Sequence, residues 1–113
     1  MGAAGVGLAA AAAHAALPPG SGLESASYLL MIHATAVLAA SALTGQSLMW
    51  RPAAIVAMAG FVLGAGLFAG DISMRAFAGH PLFSMAAPSG GTLLILSWLV
   101  LALAAIVAAI STR

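Results

Sequence analysis

Charged side chains are almost absent from this chain, and their spacing constrains its fold more than any other feature. Of 113 residues, only three are Lys or Arg and two are Asp or Glu. Four uncharged runs therefore remain, over residues 1–23, 25–50, 52–70 and 76–112. Each run can hold the roughly 20 apolar residues that a helix needs to cross a bilayer. A water-soluble domain, in which about a quarter of the residues are charged, is excluded.

The runs predict helices because none of them alternates polar and apolar residues, as the strands of a lipid-facing barrel do. Pro18-Pro19-Gly20 is expected to end the first helix, Ser25 to cap the second, and Pro52 to lie in the first turn of the third. The predicted fold is a single all-α domain, an integral membrane four-helix bundle with short loops. Its spans are expected at about residues 3–17, 26–43, 52–70 and 92–110.

Two segments leave other interpretations open. Ala13-His14-Ala15 has the small-x-small pattern of a signal-peptide cleavage site, but no cation precedes the apolar stretch, which favours a retained helix. Leu82-Phe83-Ser84-Met85 lies between the helix-breaking segments 79–81 and 88–91, and is expected at the membrane surface as either a re-entrant or an interfacial stretch.

The three arginines predict the orientation in the membrane. Four antiparallel spans place both termini and Arg51 on one side and Arg75 on the other. Arg51 and Arg113 together outnumber Arg75, which favours cytoplasmic termini. Three scattered arginines cannot form a basic surface for nucleic acid. Because the helices are apolar, the predicted partners are the lipid bilayer and other membrane protein subunits. The chain has no Cys, which excludes disulfides and thiolate metal sites.

Small residues recur on the third predicted helix in two G-x-x-x-G pairs, a spacing that lets another helix approach closely. We expect these glycines to form a helix-packing or partner face. The pairs are Gly60 with Gly64 and Gly66 with Gly70.

Several segments of the chain together resemble a known family. They are Gly66-Leu67-Phe68-Ala69-Gly70-Asp71 with Arg75, Gly79-His80-Pro81-Leu82-Phe83, Ala86-Ala87-Pro88-Ser89-Gly90-Gly91-Thr92 and Trp98, with looser agreement at Ala12-Ala13-His14, Tyr28 and His33. This set is similar to the YgdD-like inner-membrane proteins, the domain-of-unknown-function family 423, which includes the animal transmembrane protein 256. The family's first helix is usually longer and more aliphatic. The resemblance implies a small four-helix protein of the bacterial inner membrane and no established activity.

Ionisable residues inside a membrane are costly, so they are the places to look for chemistry. His14 and Tyr28 are expected at similar depths on neighbouring helices, which predicts a hydrogen bond between them. His33 lies deeper and is expected to be a neutral core residue, bonded to Thr35, Ser41 or a carbonyl of another helix. Haem ligation by His14 and His33 is the sharper alternative, although axial ligands must face each other at one depth.

Two further polar features lie near the predicted helix ends. Asp71 and Arg75 are four residues apart, which predicts an ion pair on one helix face. A role for Asp71 in proton transfer or partner binding is the alternative. Ser89, Gly90 and Gly91 are expected either to form a tight turn or to present unpaired N–H groups to a lipid phosphate, with Thr92 opening the last helix.

The sequence shows no pair of acidic residues for acid–base catalysis, no nucleophile with a base, and no set of metal ligands. We therefore expect no enzymatic activity, no metal and no cofactor. The favoured function is a non-catalytic accessory or assembly subunit of a larger membrane complex. The alternatives are a small oligomeric transporter or channel, or a haem-binding redox subunit.

Overall fold

The computed structural model describes residues 1–14 and 22–111, and all regular structure within these residues is helical. The prediction of an all-α four-helix fold is confirmed. The helices are α1 (Gly2–His14), α2 (Leu23–Gly45), α3 (Arg51–Phe77) and α4 (Ala86–Ser111).

Three of the four helices, α2, α3 and α4, are long and apolar enough to cross a membrane. The described part of α1 has 13 residues and is about 20 Å long, against the roughly 30 Å of bilayer hydrocarbon. The predicted end of the first helix at Leu17 and the Pro18-Pro19-Gly20 turn lie outside the described residues.

The second helix begins earlier than predicted because a glycine provides its start. Gly22 is the N-cap, with φ 78° in the left-handed region, and no side chain caps the helix. Glycine adopts this conformation without the steric cost that a Cβ imposes. The predicted cap at Ser25 is therefore wrong, and Ser25 lies inside the first turn. Glu24 also lies in that turn, where its negative charge interacts favourably with the positive end of the helix dipole.

The fourth helix also begins early, at Ala86 rather than near Thr92. Pro88 is its third residue, and proline is tolerated in a first turn because the N–H that it lacks would have no partner within the helix. Met85, the residue just before the helix, has φ 69°, in the left-handed region. Gly90 and Gly91 consequently lie inside the helix.

Each helix packs antiparallel against its neighbour in the chain. Gly5 of α1 lies against Met31 of α2, and Gly22, at the start of α2, lies against Ile72, near the end of α3. The backbone N–H of Trp50 donates to the Ala104 carbonyl at 2.9 Å and ties the start of α3 to α4.

The interior of this assembly is built from small residues, while large apolar side chains point outward. Phe61 is the largest fully buried side chain, and most of the other buried apolar residues are alanines. This distribution is typical of membrane helices, because lipid solvates large aliphatic side chains and close helix packing favours small ones. Large exposed apolar residues include Val6, Leu38, Val56, Leu63, Ile95, Leu99 and Ile110.

Buried polar side chains on the helices have hydrogen-bond partners within the protein. The Thr35, Thr44 and Ser97 hydroxyls each donate to a carbonyl one turn earlier, at 2.7 to 3.0 Å. Within the part of the chain that the structure describes, every buried side-chain nitrogen or oxygen has a hydrogen-bond partner. These bonds matter in lipid, where no water is available to replace them.

Candidate functional site

Glycines let α3 and α4 approach each other closely. A Cβ placed on Gly90 would lie 2.6 Å from the Gly64 carbonyl oxygen and 2.8 Å from the Phe68 nitrogen. A Cβ on Gly64 would lie 2.9 Å from the Gly90 carbonyl oxygen, and one on Gly60 would overlap the Ser97 hydroxyl. The first G-x-x-x-G pair is therefore used inside the protein, against α4.

The second pair lies on a different side of α3, because residues two positions apart on a helix are separated by about 200°. A Cβ on Gly66 would meet no atom within 4 Å, and one on Gly70 would meet only the end of the Leu82 side chain at 3.0 Å. A groove of about 490 Å³ follows this side of α3. We call it the α1–α3 groove, and its lining residues are Ala4, Gly7, Leu8, Leu30, Gly66, Ala69, Gly70 and Ser73.

An aromatic cluster joins three helices near their centres, with His33 and Phe61 buried and Trp98 44% exposed. The ring of His33 lies 5.3 Å from that of Phe61 and 5.9 Å from that of Trp98, and the Phe61 and Trp98 rings are 4.8 Å apart. The Trp98 indole N–H donates to His33 Nε2 at 3.1 Å. Phe61 is ten residues along α3 from Arg51, so the cluster lies about 15 Å from that end, near the middle of a bilayer centred on α3.

The hydrogen bonds of His33 assign its protonation state. Its Nδ1 lies 2.7 Å from the Leu29 carbonyl oxygen, which can only accept, while the Trp98 indole can only donate. The ring is therefore neutral, with its proton on Nδ1, as predicted for a core histidine. The partner predicted from the sequence was different, since neither Thr35 nor Ser41 bonds to the ring. Both ring nitrogens are engaged, so a metal or haem ligand bond from His33 requires the loss of one of these hydrogen bonds.

The sequence did not predict Trp98 as the partner of His33, because the two residues are 65 positions apart. A usable signal existed. A Trp inside a membrane span carries one N–H that needs an acceptor, and His33 is the residue of α2 that offers a free ring nitrogen in the middle of its helix.

The predicted hydrogen bond between His14 and Tyr28 does not form. The Tyr28 hydroxyl instead donates to Glu24 Oε1 at 2.7 Å, one turn earlier on the same helix. This local partner is within reach without any contact between helices, which explains the difference. His14 is exposed whereas His33 is buried, and both His33 ring nitrogens are bonded to other residues, so the structure does not pair the two histidines.

Asp71 and Arg75 form the predicted contact. Arg75 Nε donates to Asp71 Oδ2 at 3.0 Å, and the Asp71 side chain is fully buried while that of Arg75 is 52% exposed. The second carboxylate oxygen, Oδ1, accepts the Leu82 backbone N–H at 3.0 Å, a contact that the sequence did not predict. Asp71 therefore anchors the connection between α3 and α4 to the side of α3.

Ser89, Gly90 and Gly91 do not form the exposed helix start that the phosphate hypothesis required. The Ser89 N–H already donates to the Met85 carbonyl at 3.0 Å, and Gly90 is buried against α3. The tight packing given as the alternative describes Gly90, whereas a Cβ on Gly91 would meet nothing within 4 Å.

Across residues 1–14 and 22–111, no group of three or more His, Asp or Glu side chains is placed to hold a metal ion. The ionisable residues are instead dispersed. Glu24 with Tyr28 lies near the start of α2, His33 lies in the aromatic cluster, and Asp71 with Arg75 lies near the end of α3.

Comparison with protein-family models gives a match that covers most of the chain. The family model described as "Protein of unknown function (DUF423)" matches residues 8–91, from α1 into α4. The search of curated proteins found no match, and neither did the search of solved structures. The matched segment contains the glycines of α3, the Asp71 and Arg75 pair, and the Gly90 contact. The match confirms the resemblance inferred from the sequence motifs, and the chain belongs to the DUF423 family.

Proposed function

We propose that this protein is a non-catalytic accessory or assembly subunit, held in a larger complex of the bacterial inner membrane by contacts between helices. The observation that carries the proposal is the α1–α3 groove. Gly60 and Gly64 are already used against α4, but Gly66 opens onto a groove with small residues on both walls.

Small residues suit a partner helix because association inside lipid depends on close van der Waals packing rather than on the hydrophobic effect. The walls of the groove, formed by residues such as Ala4, Gly7 and Ala69, allow another backbone to approach. Phe77 and Met85, beyond the C-terminal end of the groove in the chain, are also exposed and offer larger apolar surfaces.

Replacing Gly66 with Leu tests this proposal, because the new side chain fills the groove without meeting any internal atom at its Cβ. We expect the Gly66→Leu variant to insert and fold normally but to lose the membrane proteins that co-purify with the wild type in mild detergent. Gly91→Leu is the matched control, since its Cβ position on α4 is equally open. Retention of the same partners by Gly66→Leu, or purification of the wild type as a lone monomer in detergent and in nanodiscs, would contradict the proposal.

The same purified protein distinguishes the alternative functions. Ion flux through liposomes that contain the wild-type protein would support a transporter or channel. A Soret band that disappears in a His33→Ala variant would support a haem subunit. The engagement of both His33 ring nitrogens, by Leu29 and Trp98, is an argument against the haem function.

We also infer that both termini face the cytoplasm, on the basis of Arg51 and Arg113 against Arg75. The chain contains no native Cys, so single cysteines report the orientation directly. We expect an impermeant thiol reagent applied outside spheroplasts to label Ser84→Cys and to leave Gln46→Cys unlabelled. The reverse labelling pattern would show that the protein has the opposite orientation.

A further inference from the structure

The depth of Arg75 in a membrane follows from the length of α3. Arg51 and Asp71 are twenty residues apart on this helix, a distance of about 30 Å along its axis. That distance equals the thickness of the hydrocarbon layer. When Arg51 lies at one interface, Asp71 lies at the other, and Arg75, one turn further along, lies at the level of the lipid headgroups.

The guanidinium group of Arg75 is held in one orientation by a buried acid. Asp71 accepts its Nε–H at 3.0 Å, and the half-exposed side chain of Arg75 extends outward from this fully buried carboxylate. The two Nη groups donate no hydrogen bond to the described part of the chain. The outer edge of the guanidinium is therefore available to an acceptor from outside the protein.

The adjoining connection, residues 78–85, has the composition of a segment immersed in an interface. It returns along α3 until the Leu82 N–H meets Asp71, so it lies close to the boundary of the hydrocarbon. Its side chains, and that of the preceding Phe77, are exposed although several are large and apolar. These exposed side chains are Phe77, Leu82, Phe83 and Met85.

We propose that the Nη groups of Arg75 bind the phosphate of an anionic phospholipid, whose acyl chains pack against Phe77 and the connection 78–85. Guanidinium groups bind phosphate oxygens through two parallel N–H bonds, and a basic residue at this depth favours anionic over zwitterionic lipid. Asp71 holds the connection 78–85 beside Arg75 through the Leu82 N–H and does not contact the lipid. Arg51, at the other interface, has no carboxylate partner among the described residues. This proposal is independent of the proposed function.

Lipid retention measures this site directly. The protein is placed in nanodiscs that contain equal amounts of phosphatidylglycerol and phosphatidylcholine, and native mass spectrometry records the ratio of the two lipids that remain bound after ejection. We expect phosphatidylglycerol to be enriched on the wild type and Arg75→Gln to lower the ratio about two- to fivefold. Arg51→Gln, which removes the same charge at the other interface, is expected to lower it by less than half as much.

Asp71→Asn distinguishes an effect of the Arg75 guanidinium from an effect of the fold around it. An Asn at this position retains an oxygen for the Leu82 N–H but removes the negative charge that competes with a phosphate. We expect this variant to keep or increase the phosphatidylglycerol ratio of the wild type. An unchanged ratio in Arg75→Gln, an equal loss in Arg51→Gln, or a loss in Asp71→Asn as large as that in Arg75→Gln would overturn the proposal. Circular dichroism confirms that each variant keeps its helical content.

Discussion

The two G-x-x-x-G pairs of α3 have the same sequence signature, yet they lie on different faces of the helix. Gly60 and Gly64 face α4, where added Cβ atoms would collide with Ser97, Leu94 and the backbone of Gly90. Gly66 faces the α1–α3 groove, and a Cβ there meets no atom within 4 Å. The spacing of small residues therefore indicates where a helix can be approached, whereas the direction of each glycine decides whether the partner belongs to the same chain.

The largest expected difference is between Gly64→Leu and Gly66→Leu. Gly64→Leu forces a side chain against the Gly90 carbonyl and Leu94, so we expect it to lower the free energy of unfolding by about 3 kcal/mol or more. Gly66→Leu is expected to change it by less than about 0.5 kcal/mol. Unfolding by SDS in mixed micelles measures both. Similar losses in the two variants would remove the distinction between the faces.

Asp71 lies at the C-terminal end of the α1–α3 groove, where it holds the connection 78–85 beside Gly70. Asp71→Ala leaves the Leu82 N–H and the Arg75 guanidinium without their acceptor, and we expect a loss of about 2 kcal/mol in the free energy of unfolding. Adding Arg75→Ala to Asp71→Ala is expected to cost less than the sum of the two single changes, since the pair acts together. Additive losses would show that the observed contact contributes no coupling.

Gly60→Ala tests the side of α3 that faces α4 with a smaller perturbation, because the atoms that the new methyl group meets belong to a side chain rather than to backbone. The added methyl group collides with Ser97, and we expect a loss of about 1 to 2 kcal/mol in the free energy of unfolding. Ser97→Gly in the same chain removes the obstacle and is expected to restore part of this loss. If the second change instead adds its own full cost, the packing of Gly60 against Ser97 is incorrect.

The hydrogen bond of Trp98 to His33 adds a polar contact between α4 and α2. Its loss is expected to change the free energy of unfolding least. Trp98→Phe keeps an aromatic ring against Phe61 but removes the donor to His33 Nε2, so we expect a loss of about 1 kcal/mol. Trp50→Phe is the matched control, because Trp50 is 46% exposed against 44% for Trp98 and its indole donates no hydrogen bond to the described residues. Equal effects of the two substitutions would argue against a specific contribution of the hydrogen bond.

The sequence predicted features that depend on local spacing and missed those that depend on distant segments. Charge spacing predicted four helices, and the four-residue separation predicted the contact between Asp71 and Arg75. The Gly90 contact and the Trp98 to His33 bond each join positions far apart in the chain, whose relative rotation no local pattern specifies. The early start of α4 differs from the prediction because a first turn accommodates Pro88, whereas a proline in the sequence alone indicates a helix break.

The expectation for His14 and Tyr28 failed for a related reason. Matching depth on two neighbouring helices permits a contact but does not set the direction of either side chain. Glu24, one turn before Tyr28, offered a nearer acceptor. Local hydrogen bonds of this kind can be predicted from i, i+4 spacing, and here they take precedence over a contact between helices.

Disulfide formation tests most directly whether Gly60 and Gly66 face different partners. The chain has no native Cys, and a Cβ on Gly60 would lie 3.0 Å from the Ser97 Cβ, close to the spacing of about 3.8 Å in a disulfide. Gly60→Cys and Gly66→Cys are each combined with Ser97→Cys and oxidised in membranes. Cyanogen bromide cleavage at Met58, Met74 and Met85 leaves both α3 positions in the fragment 59–74 and position 97 in 86–113. We predict that these fragments are joined by an intramolecular disulfide in the Gly60→Cys pair only. Unlinked fragments in that pair, or linked fragments in the Gly66→Cys pair within a single chain, would contradict the assignment of the two faces.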